Sequence, residues 1–308
     1  MKPIGIIVTS IYLLLHSTCG FGQDVHSLKR DDGTAIQYYL TQLGKNNTSL
    51  AVLIQGSDCN SVYHNNLIND VFADIFQPAD ILIVEKYGID ATLNWSDDPN
   101  RGDCPESYYL NDSPEQRVAD YENVLLHLNN KQKYKKIIVL GGSEGAVVAN
   151  LLTARTSLVD LTISINGGGR WFLDDVLHSI ELQSDTEEAY DVASAGFMGF
   201  YKSILDNEQP DLILSGHGYS WWREMFEVDQ TSIIGQIDTP LLIIQAGKDE
   251  SVSVKAAVSQ VEELYKTKSN ITFIVYPELN HSLKNAEGGS EVERVTNDIS
   301  AWLKSNSY

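Results

Sequence analysis

A mostly parallel β-sheet with helices on both faces is the fold class this sequence predicts, and three observations predict it. Short apolar, β-branched runs recur, each halted by glycine or a polar loop. Helix-spaced stretches separate them, and the 308 residues, 43% hydrophobic and 21% charged, suffice for one large core. No fixed-period repeat or low-complexity tract divides the chain, so one domain carrying an insertion is expected.

The chain begins with Met1 and Lys2, an apolar run over 4–15, and the small residues Ser17, Thr18, Cys19, Gly20 and Gly22. This reads as an export signal over 1–22, leaving 23–308 as the mature domain in the periplasm or outside the cell. A dozen apolar residues fall short of the ~20 a spanning helix needs, so no stable membrane span is expected. Lipid anchoring at Cys19 is an alternative for which His16 and Thr18 are poor neighbours.

The first strands are LAVLI at 50–54, stopping at Gly56, and ILIV at 81–84, stopping at Gly88, with helical spacing over 67–76 between them. Ser113 and Pro114 suit the cap and first position of a helix over 116–128, whose apolar face is Val118, Tyr121, Val124, Leu125 and Leu128. Strand KIIVL at 136–140, a small-residue helix from 144 to about 153 and strand LTISI at 161–165 follow. Residues 170–236 then turn helical and aromatic, reading as a helical cap inserted into the sheet. Strand PLLII at 240–244, a helix from 253, strand ITFIV at 271–275 and a closing amphipathic helix from 291 complete the pattern. In such sheets function gathers at the carboxyl ends of the strands.

The sharpest chemical signal lies at one such end. Gly141-Gly142-Ser143-Glu144-Gly145 joins a buried strand to a small-residue helix, the context of a nucleophile elbow. Gly141 and Gly145 leave room for a strained turn, and the helix start directs N–H groups and positive dipole at the site. A serine hydroxyl needs a histidine within reach and a carboxylate to hold that histidine's tautomer. Asp249 follows the 240–244 strand, with Glu250 as its rival, and His281 follows the last strand; the expected roles are Ser143 nucleophile, His281 base and Asp249 orienting acid. Of the other histidines, His64 and His217 are candidates to touch substrate. The oxyanion needs two N–H donors, expected from Glu144 and from Ser57, with Gly56 permitting close approach. No cluster has metal-ligand spacing, so neither metal nor cofactor is expected.

These residues together make the chain resemble the α/β-hydrolase superfamily from about Leu50 to the C-terminus. It departs from the common pattern in having Gln55 where a histidine often precedes the loop glycine, and in lacking a triple-glycine loop. The resemblance implies a serine hydrolase working through an acyl-enzyme, most simply on a carboxylic ester. Peptide or thioester cleavage by the same triad is one alternative; a catalytically silent ligand-binding protein on this scaffold is another.

Charge narrows the partners. A net charge of −20 leaves no basic stripe for nucleic acid. Residues 170–236 carry thirteen acids against Arg170, Lys202 and Arg223, which favours a neutral or cationic small-molecule ester or peptide over an anionic substrate, or else marks a solvated surface. Trp221 and Trp222 are candidates for a substrate pocket, with packing as the other use of such aromatics. Cys59 and Cys104 form an even pair once the signal is gone, and a bridge between them would tie two loops beside the site.

Overall fold

A computed structural model describes residues 24–44, 47–98, 101–132 and 134–308; the expected export signal and Cys19 lie outside the described residues. The strands are β1 (Asp24–Lys29), β2 (Ala35–Thr41), β3 (Ser49–Ile54), β4 (Asp80–Val84), β5 (Lys136–Gly142), β6 (Leu161–Ile165), β7 (Ile213–Leu214), β8 (His217–Gly218), β9 (Leu241–Ala246) and β10 (Ile271–Tyr276). Eight of them form one sheet in the order β1-β2-β4-β3-β5-β6-β9-β10. From β4 to β10 every pairing is parallel; β1 and β2 add an antiparallel edge. The predicted fold class, a mostly parallel sheet flanked by helices, is the one observed.

Period-two geometry explains the continuous apolar runs. Leu50, Val52 and Ile54 of β3 enter one layer with Val118, Tyr121, Val148 and Leu152, whereas Ala51 and Leu53 enter the opposite layer with Phe72, Phe76, Ile299 and Trp302. Both faces are dry, so neither can carry polar residues. The helices are α1 (Glu106–Asn111), α2 (Pro114–Gln132), α3 (Glu144–Arg155), α4 (Phe172–Gln183), α5 (Glu187–Asp206), α6 (Tyr219–Glu227), α7 (Gln230–Gly235), α8 (Val254–Leu264) and α9 (Val292–Ser305). No helix among the described residues is long and apolar enough to cross a membrane.

Three features differ from the sequence reading. The sheet starts before residue 50: besides the strand expected around His26, which is the largely solvent-facing edge strand β1, it includes β2, whose AIQYYLT sequence is interrupted by polar residues and is no continuous apolar run. The stretch at 67–76 begins as a π-helical turn, Leu67–Phe72, burying Ile68 and Phe72. The loop after β4 contains α1, a helix too short for a full amphipathic period.

Residues 170–236 hold α4 to α7 and the small β7-β8 hairpin, all between β6 and β9. Their aromatic residues form one continuous cluster: Phe172 meets Trp221 edge-on at 5.5 Å and Phe200 meets Trp222 at 5.1 Å. Trp221, Trp222, Met225 and Phe226 pack into the same core layer as α2 and α3.

Candidate active site

Ser143 turns the chain from β5 into α3 with φ 54° and ψ −128°, a region that a residue with a side chain holds only when its surroundings impose it. Backbone supplies those surroundings. A Cβ on Gly141 would lie 2.0 Å from the carbonyl oxygen of Gly145, and one on Gly145 would lie 2.4 Å from that of Ile54. Neither position admits a side chain, so α3 starts in backbone contact with the end of β3. The Ser143 N–H donates to Ile165 O at 2.8 Å, fixing the turn to the end of β6.

Asp249 and His281 stand on the exits of β9 and β10, beyond β6 in the sheet. His281 Nδ1 lies 2.9 and 2.8 Å from the two carboxylate oxygens of Asp249. Asp249 is buried, and its Oδ1 also accepts the N–H groups of Ser251 and Val252, each at 2.9 Å. Its rival Glu250 meets only the backbone N–H of His281, at 3.4 Å, so the imidazole is paired with Asp249.

Asn166 joins these exits. Its side-chain amide donates to His281 O at 2.9 Å, its Oδ1 accepts the Ala246 N–H at 2.8 Å, and its own N–H donates to Ile244 O at 2.8 Å. Ser143 is bonded to residue 165 and His281 to residue 166, so one turn at the end of β6 holds both loops. Asn166 has φ 51°, which asparagine tolerates better than most residues.

Helix α4 grips the acid loop from the inserted segment. Asp175 Oδ1 accepts the Ser253 N–H at 2.8 Å, His178 Nε2 lies 3.0 Å from Asp249 O, and the Ser179 hydroxyl donates to Glu250 O at 2.8 Å. Burial pushes the Asp175 carboxyl up to about 7.

The loop at 55–60 lies against the serine from the other side: a Cβ on Gly56 would sit 3.3 Å from Ser143 Cβ and 3.9 Å from Oγ. Three cations, Arg117 and Lys86 buried and Arg101 half-buried, hold this loop by its carbonyls. Arg117 Nη2 donates to Gln55 O at 2.6 Å, Arg101 Nη1 to Cys59 O at 2.9 Å, and Lys86 Nζ to Asp58 O. Cys59 and Cys104 are joined by a disulfide across 6.0 Å between their Cα atoms, tying the loop to the segment that leads into α1.

Beneath the loop, Arg117 Nη1 meets Glu144 Oε1 at 2.6 Å and the Trp221 indole N–H donates to Glu144 Oε2 at 2.9 Å. Burial raises the Glu144 carboxyl, but the Arg117 guanidinium, together with Lys86, His217 and the Trp221 N–H, outweighs it and holds Glu144 below its ordinary value. Asp112, fully buried nearby, is pushed up to about 7 by burial, and His217 is pushed down to about 4 by the same cause.

Of the residues expected at the site, the structure brings the loop at 55–60 against Ser143 and pairs Asp249 with His281, and several others serve in a different manner from the one expected. Trp221 and Trp222 are 4% and 6% exposed; the first bonds Glu144, and the second donates to Leu214 O at 3.1 Å. Their rings and N–H groups are occupied by packing. His217 stacks on Trp221 with ring centroids 3.7 Å apart. It also lines a cavity of about 310 Å³ with Ser57, Asp58, Trp95, Arg101 and Tyr109. His64 lies 2.8 Å from Ala91 O.

Sequence reading missed Arg117, Lys86, Asn166 and Asp175. A signal existed for Arg117, which precedes Tyr121, Val124 and Leu128 by four, seven and eleven residues and so lies in the apolar stripe of α2. Asn166, between a strand end and Gly167, was the residue type suited to a positive φ.

Comparison with known proteins gives a consistent placement. The model of the prolyl oligopeptidase family matches residues 106–307. Esterase EstD of Thermotoga maritima is 25% identical over 203 aligned residues, covering 60% of this chain and 47% of that protein. The chain thus spans about half the length of the curated relative it matches. Among solved structures, the esterase Pf2001 of Pyrococcus furiosus superposes with a TM-score of 0.61 at 14% identity, covering 92% of this chain and 91% of that one. The acylaminoacyl peptidase of Pyrococcus horikoshii superposes with a TM-score of 0.58 at 14% identity, over 92% of this chain and 41% of that one. These superpositions establish the α/β-hydrolase fold.

Proposed function

We propose that this chain, which belongs to the prolyl oligopeptidase family, is a serine hydrolase that cleaves a carboxylic ester through an acyl-enzyme on Ser143. One observation carries the reading: a serine held at φ 54° at the end of β5, with an Asp249–His281 pair on the exits of β9 and β10. In this scheme Ser143 Oγ attacks the acyl carbon and His281 Nε2 takes the hydroxyl proton, while Asp249 holds Nδ1–H and stabilises the imidazolium. The oxyanion accepts N–H bonds from Ser57 and Glu144. His281 returns the proton to the leaving oxygen, the alcohol departs, and water repeats the sequence to release the acid. Residues 170–236 act as the cap over this end of the sheet, and their acidic balance favours neutral or cationic substrates. The disulfide supports an oxidising compartment such as that reached by export.

Peptide cleavage is the second reading, favoured by the family itself and by the likeness to an acylaminoacyl peptidase. One experiment tests both. The purified chain and Ser143→Ala are labelled with a fluorophosphonate, then assayed on p-nitrophenyl esters and N-acylaminoacyl p-nitroanilides. Labelling lost in the variant, with turnover of esters exceeding that of anilides, is the expected result. Turnover of anilides alone favours the peptidase, and a folded parent that neither labels nor turns over would leave a ligand-binding protein.

A further inference from the structure

We propose that Arg117 is a positioning residue that sets the spacing between the two donors of the oxyanion hole, by binding the Gln55 carbonyl and the Glu144 carboxylate at once. This rests on the reading of Ser57 and Glu144 as those donors. One guanidinium makes both bonds, Nη2 to Gln55 O and Nη1 to Glu144 Oε1, each at 2.6 Å. Its fork is planar and rigid, so the two acceptors are fixed relative to one another and not merely attracted. Those acceptors belong to separate pieces of chain, the loop leaving β3 and the first residue of α3; the backbones meet at Gly145 and Ile54, and Arg117 adds a second tie on the side of the two donors.

Each contact acts close to a donor. Because the peptide unit is planar, turning Gln55 C=O toward Arg117 turns the Gly56 N–H the opposite way, and only the two torsions of Gly56 then separate that plane from the Ser57 N–H. Glu144 is the first residue of α3, where backbone N–H groups have no partner within the helix. Its side chain is therefore what anchors it, on one oxygen to Arg117 and on the other to Trp221 of α6.

The arrangement is poorly explained by stability alone. Both side chains are almost fully buried, at 3% and 2% exposure, and a buried ion pair is often no more stabilising than an apolar pair of the same volume. Arg117 also faces Asp112, so two acids share it. A chain with 22 basic residues against 42 acidic ones nonetheless keeps Arg117 and Lys86 buried, and Arg101 half-buried, around this one loop.

The test compares the full chain with Arg117→Lys, which keeps the charge but has no fork, and Arg117→Met. The readouts are kcat and KM on a p-nitrophenyl ester, Ki for an arylboronic acid whose tetrahedral adduct presents an anionic oxygen to the hole, and Tm. In a folded variant kcat should fall by about 10- to 100-fold with KM within about threefold, and the boronate Ki should rise by the same factor. If Arg117→Met fails to fold, Arg117→Lys decides. A folded lysine variant with parental kcat and Ki overturns the proposal, as does one that loses only Tm or one that does not fold at all. Failure of the underlying reading is seen separately, in a parent that is unlabelled at Ser143 or in a Ser143→Ala variant that remains active.

Discussion

On one side of Ser143 the loop at 55–60 turns backbone carbonyls toward three cations and is tied by a disulfide; on the other, the loop at 249–253 is held by amide, imidazole and hydroxyl donors and by the Asp175 carboxylate, which accepts the Ser253 N–H. Those donors are backbone amides to the Asp249 carboxylate, and an imidazole and a hydroxyl from α4 to the neighbouring carbonyls. The difference follows from what each loop must do. A fixed cation beside Asp249 would compete with His281 for the carboxylate, whose two oxygens lie 2.9 and 2.8 Å from His281 Nδ1. At the loop at 55–60 each cation is itself paired with an acid, Arg117 with Glu144, Lys86 with Asp58 and Arg101 with Asp103, so what it adds is a fixed hold on the loop's carbonyls rather than free charge.

The largest expected effect tests the loop at 249–253. Asp249→Asn keeps the shape but presents an amide to Nδ1, so kcat on an ester should fall by about 10³- to 10⁴-fold with KM little changed. A loss below about tenfold in a folded variant would mean that the loop only scaffolds the site.

Next is the covalent tie. The double variant Cys59→Ser/Cys104→Ser should lose about 2–4 kcal/mol of stability in denaturant titration. Its kcat should fall less than about tenfold, because the three cations still hold the loop. Collapse of kcat in folded protein would assign the ordering to the bridge instead.

Asp175 offers a smaller, pH-dependent contrast. Its folded value, raised by burial to about 7 from the ordinary 3.8, means that the folded chain binds this proton more tightly than the unfolded one. The stabilising contribution is full below about pH 4 and is lost as pH rises through 7. Asp175→Asn should therefore match the parent in Tm near pH 4 and gain on it steadily as pH rises through 7. A difference in Tm that is constant with pH, or that shrinks as pH rises, would contradict the assignment.

The smallest effect is expected from Ser179→Ala, which removes one hydrogen bond from α4 to the acid loop. Tm should drop by the equivalent of about 0.5–1.5 kcal/mol, with faster amide exchange at 250–253 than elsewhere.

By itself the sequence determined the layered fold and the strand-end positions of its polar loops. Apolar runs such as LAVLI at 50–54 have no other stable use than a strand buried on both faces, and Gly141 and Gly145 around Ser143 announce a turn that no side chain tolerates. These are local signals, written in neighbouring residues. Tertiary structure alone decided what holds the site. Arg117 and Gln55 are 62 residues apart, Asn166 and His281 115, and Trp221 and Glu144 77. It also decided that Trp221 and Trp222 pack against the core rather than stand open. The physical reason is that a buried charge or amide is tolerated only where its partner arrives, and the partner is brought by chain topology, which no local pattern encodes.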